Sequence, residues 1–174
     1  MIFGNPDKFS ILIDVVEEWS SPDFKEGLFF YIIGDDFCVR RIPDNSATIA
    51  VYMHELSLTL KAKVVDGYES AYLFNLPTEQ AYSELNAIRF VPFEEDIPAD
   101  AVEDYTHSIT VGDMLSDIDE IYLVSHDIQE KILYKAPNTG EILECVLEKG
   151  YAINTMKQAL EWWNSLNIKG QKKL

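Results

Sequence analysis

Positive charge is what this sequence has least of. Its 14 lysines and arginines stand against 30 aspartates and glutamates, a formal net charge of −16 over 174 residues. That imbalance excludes a protein that holds nucleic acid by neutralising phosphates, and it disfavours docking on an anionic membrane surface. It suits a partner that is itself basic, although acidity also serves plain solubility. The 2 cysteines, Cys38 and Cys145, are too few for a disulfide framework. Both fall in segments that read as strands, where a thiol behaves as a small core group. A run of eighteen apolar residues is missing, so no membrane span is expected. A secretory signal is missing too: Asp14 interrupts the first apolar run, 9–16, and only Lys8 precedes it. The expectation is a small, complete cytoplasmic protein.

Chemical motifs are equally sparse. There is no Gly-x-x-x-x-Gly-Lys loop, no Gly-x-Gly-x-x-Gly turn and no Gly-x-Ser-x-Gly elbow. His54, His107 and His126 are not spaced as zinc ligands. Asp117-Ile118-Asp119-Glu120 looks like a fragment of a calcium loop, but it lacks the glycine and the distal glutamate. No catalytic residue, metal ligand or cofactor is therefore assigned. A metal-dependent hydrolase that gathers carboxylates across the fold stays open as an alternative.

What is present is an ordinary globular composition, 47% apolar and 25% charged. The length and the lack of a biased linker predict a single domain over 1–174. Period-two alternation predicts a strand at 9–16, and apolar runs predict strands at 28–33, 37–42 and 47–52. Gly34-Asp35-Asp36 reads as the hairpin turn between the second and third of these. Residues 53–60 fit either a helix or a strand. Pro77-Thr78-Glu79-Gln80 opens a helix with Thr78 as its N-cap. Residues 89–93 read as extended, with Pro92 marking an edge, and Thr110 reads as the cap of a short helix. Strands are predicted at 120–125, 128–135 and 142–147, with turns near His126-Asp127 and at 137–140. Ile153, Met156, Leu160, Trp163 and Leu166 define an amphipathic C-terminal helix. Of the adjacent Trp162 and Trp163, about 100° apart on a helix, one enters the core and the other lies at its boundary. Neighbouring strands joined by short turns give an α+β fold. It is a mainly antiparallel sheet, open or rolled, with the C-terminal helix packed on it and one or two further short helices.

The charge is unevenly placed. Between Arg89 and Lys131 there are twelve acids and no lysine or arginine. Like charges this dense repel one another, and aromatic residues beside them are the material of protein–protein hot spots. The candidate binding surface is therefore Glu94, Glu95, Asp96, Asp100, Glu103, Asp104 and Tyr105, extended by Asp113, Asp117 and Asp119. A solvated face is the competing reading.

The opening Met1-Ile2-Phe3-Gly4-Asn5-Pro6-Asp7-Lys8-Phe9, then Glu18-Trp19 and 27–34 (Gly-Leu-Phe-Phe-Tyr-Ile-Ile-Gly), resembles the start of the immunity protein 42 family. The resemblance covers the first 34 residues or so. It implies a non-enzymatic bacterial antitoxin of a polymorphic toxin or contact-dependent growth inhibition system. Such a protein binds the C-terminal toxin domain of a delivered effector. A basic nuclease is the commonest kind of target and suits an acidic surface. Within the motif, Gly4 and Pro6 would shape a turn while Phe9 and Trp19 would bury apolar area. The expected partner is thus a cognate basic toxin domain, with no direct nucleic acid or membrane contact, and a free state that is a monomer or weak dimer. A structural or oligomerising module, using a sheet edge or the Trp162-Trp163 pair, is the remaining alternative.

Overall fold

The period-two run at Phe9 is a strand, β2 (Phe9–Val15), and the residues ahead of it form another, β1 (Ile2–Asn5). A computed structural model supplies the architecture and describes residues 1–21, 24–38, 47–65, 67–89, 107–111 and 119–171. The first sheet runs β1, β2, β3 (Glu26–Ile33), β4 (Asp36–Phe37), all antiparallel, with the two-residue β5 (Ala47–Thr48) also on β3. Among the described residues three helices follow: α1 (Ile49–Val65), α2 (Ala71–Asn75) and α3 (Thr78–Arg89). A second antiparallel sheet runs β6 (Tyr122–His126), β7 (Gln129–Lys135), β8 (Ile142–Glu148), and α4 (Tyr151–Gln171) ends the chain. The fold is α+β with antiparallel sheets and a C-terminal helix packed against them.

Register explains the core. Phe9 faces Ile33, Ile11 faces Tyr31 and Ile13 faces Phe29, so six large side chains share one side of β2 and β3, and all are buried. Each removes apolar area worth about 1.5–3 kcal/mol from water. Helices α1 and α4 pack on those strands, and Leu123, Ile132, Tyr134 and Leu147 of the second sheet join the same cluster. The opposite side of the second sheet, Tyr122, Val124 and Leu133, meets Leu73, Ala81, Tyr82 and Leu85 of α2 and α3. Burial on both sides accounts for the consecutive apolar residues Tyr122-Leu123-Val124 of β6 and Ile132-Leu133-Tyr134 of β7. The Tyr134 hydroxyl donates to Asp36 Oδ2 at 2.8 Å and ties the two sheets together.

Several expectations change. The strand expected at 47–52 stops at Thr48, because Ile49, Met53 and Leu56 at helical spacing are all buried. Residues 53–60 lie within α1; the Leu56–Leu58–Leu60 alternation is incidental, since Leu58 is exposed. Of the strand expected at 37–42, Phe37 lies in β4, and 39–42 fall outside the described residues. Thr78 is the first helical residue rather than the cap, and its hydroxyl donates to Glu144 Oε2 at 2.7 Å. Arg89 ends α3 instead of starting an extended segment, and 90–93 lie outside the described residues. Thr110 and Val111 are not helical; the rest of that expected helix is also outside the described residues. Trp19 is exposed, at 49%, because it sits in the turn between β2 and β3 and not on a strand face.

Two glycines of the opening motif have clear reasons. Gly4 has φ +86, and a Cβ there would strike the Phe9 carbonyl oxygen. Gly27 lies so close to β2 that a Cβ would collide with the Asp14 carbonyl. Both permit the tight pairing of the first three strands.

Candidate functional site

Of the ten candidate residues, Asp119 is described. Glu94, Glu95, Asp96, Asp100, Glu103, Asp104, Tyr105, Asp113 and Asp117 lie outside the described residues. Asp119 Oδ2 sits 3.2 Å from Lys135 Nζ, so this carboxylate is compensated from the neighbouring strand.

The described acids beside it divide into surface and interior groups. Glu120 is 2% exposed, and its Oε2 accepts from the Ser108 hydroxyl at 2.6 Å and the Thr110 hydroxyl at 2.7 Å. Glu130 is fully buried at the start of α4. Its Oε2 accepts from Gly150 N at 2.7 Å and from the Tyr68 hydroxyl at 3.0 Å, and its Oε1 accepts from Ala152 N at 2.6 Å. A carboxylate on β7 thus satisfies the open amides of a helix far along the chain, where the helix dipole favours negative charge. Burial, reinforced by the Glu130 charge, pushes the Tyr68 phenol well above its usual range. The acidic interval is therefore not all surface: Glu120 and Glu130 hold the fold. Asp127, at φ +51 in the β6–β7 turn, remains at the surface with His126 Nε2 3.4 Å away.

A second acidic group lies on and beside β8, where Glu141, Glu144 and Glu148 are exposed. Glu144 Oε2 meets Lys131 Nζ at 3.0 Å, and that buried ammonium also sits 5.0 Å from the centre of the Phe74 ring. Partial burial alone would raise the Glu144 pKa, but the Thr78 hydroxyl and the Lys131 charge outweigh it and hold the carboxyl below its ordinary value. The sign follows from linkage. A depressed carboxylate adds stability above the unfolded-state pKa, and that stability disappears as pH falls through the folded value. The melting temperature should hold from pH 7 to pH 5 and drop below the reference value of 4.5. Glu144→Gln should flatten part of that acid limb in a thermal melt series. An unchanged limb would show that other carboxylates govern it.

Among the described residues no catalytic grouping emerges. Among the described residues there is no cluster of three or more His, Cys, Asp or Glu that could hold a metal ion. His107 Nδ1 lies 3.2 Å from the Leu123 carbonyl oxygen, a backbone contact. Cys38 is buried and its thiol is pushed up by burial and then by Asp36. Cys145 is half-buried, donates to the Lys8 carbonyl at 3.4 Å, and is raised by burial against the opposing influence of Lys8. Both should react with a disulfide reagent at pH 7.5 at least about tenfold more slowly than in the denatured chain. A fast-reacting thiol in the native protein would contradict this. Among the described residues no helix is long and apolar enough to cross a membrane.

Sequence reasoning missed Glu130 as an interior cap and β8 as an acid-fringed edge. The first has no local signal, because its partners lie 20 residues or more away. The second was visible as Glu144 and Glu148, four apart and so on one side of a strand, once that run was taken as an outer strand.

The sequence profile of the family described as Immunity protein 42 matches residues 1–162. The crystal structure of CdiI from Burkholderia dolosa AUO158 is similar over 92% of this chain and 99% of that chain, with 28% sequence identity and a TM-score of 0.77. No curated protein matches.

Proposed function

Because the chain belongs to the immunity protein 42 family, we propose that it is a cytoplasmic antitoxin that binds and neutralises the toxin domain of a contact-dependent inhibition or polymorphic toxin system. The observation that carries this reading is the family match over nearly the whole chain, supported by the likeness to a CdiI structure. The role is stoichiometric and non-enzymatic, performed by a single domain that is a monomer or weak dimer when free. The toxin is a basic protein, a nuclease by class. A nuclease must carry a cationic groove for phosphates, and a surplus of carboxylates can fill that groove and exclude the substrate. On this reading Glu94, Glu95, Asp96, Asp100, Glu103, Asp104 and Tyr105 face the toxin, with Asp113, Asp117 and Asp119 at the margin. Rim ion pairs add about 0–1 kcal/mol each, so tight binding also needs a desolvated centre.

Co-expression tests the role. The toxin domain encoded beside this chain's gene should stop growth when produced alone and should be harmless when this chain is produced with it. Growth arrest in both cases, with both proteins soluble, would overturn the antitoxin reading. In vitro, an equimolar amount of this chain should stop degradation of nucleic acid by that domain.

A further inference from the structure

The antitoxin reading leaves open how the partner is held. A strand edge in the second sheet supplies one answer. The outer side of β6 is already occupied: Ser70 N donates to Ser125 O at 2.9 Å, Ser125 N to Tyr68 O at 2.9 Å and Leu123 N to His107 O at 2.8 Å. At the other end, β8 pairs with β7 alone among the described residues. Its hydrogen-bond phase is fixed at both ends. Ala136 N donates to Glu141 O at 2.8 Å, and Lys149 N donates to Ile128 O at 3.0 Å. In an antiparallel pair bonded positions alternate. Leu143, Cys145 and Leu147 therefore bond to β7, while the amides and carbonyls of Ile142, Glu144, Val146 and Glu148 point outward.

The side chains at those outward positions are Ile, Glu, Val and Glu, all on one side of the strand, and Val146 is 47% exposed. Glu141 stands at the entrance. The seven residues of β8 contain no lysine or arginine, and the Lys149 that follows is held by Glu69 at 2.8 Å. A second copy of this chain adding to the edge would bring glutamates against glutamates on a molecule of net charge −16, which is the usual defence of an edge against self-pairing. Lys131 of β7 already meets Glu144 at 3.0 Å, so the attraction for a strand carrying lysine or arginine comes chiefly from Glu141 and Glu148 at the two ends of the edge.

We propose that β8 is the docking edge of the antitoxin, extended on binding by a basic strand of the toxin domain that pairs with the outward backbone of 142–148. This rests on the antitoxin reading and adds the mode of capture. Main-chain pairing supplies affinity that does not depend on the toxin's side chains, while the Ile142, Glu144, Val146 and Glu148 positions set register and specificity.

Amide hydrogen exchange of the full chain, alone and with the toxin domain encoded beside it, tests the edge. The amides of Ile142, Glu144, Val146 and Glu148 should exchange fast in the free protein and at least about tenfold more slowly in the complex. Val146→Pro removes one outward donor without touching a β7 bond. It should weaken binding at least about tenfold with little change in melting temperature, whereas Val146→Thr should bind normally. A complex that forms while these four amides keep their free rates overturns the edge and leaves the antitoxin role standing. If Val146→Pro does not fold, the exchange result decides alone. Failure to form any complex at micromolar concentrations overturns both.

Discussion

Glu130→Ala should lower the unfolding free energy by about 4 kcal/mol, near the upper end of single-residue effects. The carboxylate is fully buried and receives two backbone amides of the α4 start and one phenol. Hydrogen bonds to a charged group contribute about 1.5–3 kcal/mol each. Loss of an N-cap costs about 0.5–2 kcal/mol, and loss of the dipole interaction up to about 2 kcal/mol. These contributions share the same groups and do not add. The orphaned amides would also sit where water reaches them poorly, beside the packed Ala152. Urea denaturation measures the effect. Glu130→Gln should recover only part of it, because its amide nitrogen would face a donor in either orientation: the Ala152 N–H, or the Gly150 N–H beside the Tyr68 hydroxyl. A loss below about 1 kcal/mol for the alanine variant would mean that packing alone holds α4 in place.

Reversal of three charges, Glu94→Lys with Glu95→Lys and Asp96→Lys, should slow association with the toxin domain by about a hundredfold at low salt. Opposed fields raise encounter rates by roughly ten- to thousandfold, and about 8 Å of screening at physiological salt removes most of the gain. The variant's rate should therefore also lose much of its dependence on salt. Dissociation should change less, because steering acts on encounter rather than on the desolvated centre. Stopped-flow or surface-plasmon kinetics at two salt concentrations separates the two. Unchanged association rates would move the contact away from 94–105 while leaving inhibition intact.

The elements most legible in the sequence were those whose pattern is local. Phe9, Ile11 and Ile13 alternate because one side of β2 is core. The β7–β8 hairpin is marked by its Pro-Asn-Thr-Gly turn, and α4 by Ile153, Met156 and Trp163. Trp162 does lie at the boundary, 5.6 Å from the Phe3 ring. Illegible were the places where local signals conflict. α1 carries exposed Val51 and Leu58 opposite its buried stripe, and an exposed Val64 in its last turn, so its apolar period was blurred. β1 is short and begins at the chain start, and only its pairing with β2 makes it a strand. Trp19 was misjudged because a large apolar residue in a turn has no face to bury. The charge count marked an acidic molecule but could not tell a surface carboxylate from an interior one. Glu120 and Glu130 belong to the interior because hydroxyls and amides from distant segments converge on them. The family resemblance was legible in the first 34 residues, where Gly4 and Gly27 are fixed by backbone contact, while the family profile extends over 1–162.

The most direct test is calorimetric titration of this chain with the toxin domain encoded beside it, at about 50 mM and about 500 mM salt. The expected result is one-to-one binding with sub-micromolar affinity that weakens as salt rises. The absence of binding at either salt, with both proteins folded, would contradict capture of a basic toxin by this acidic chain.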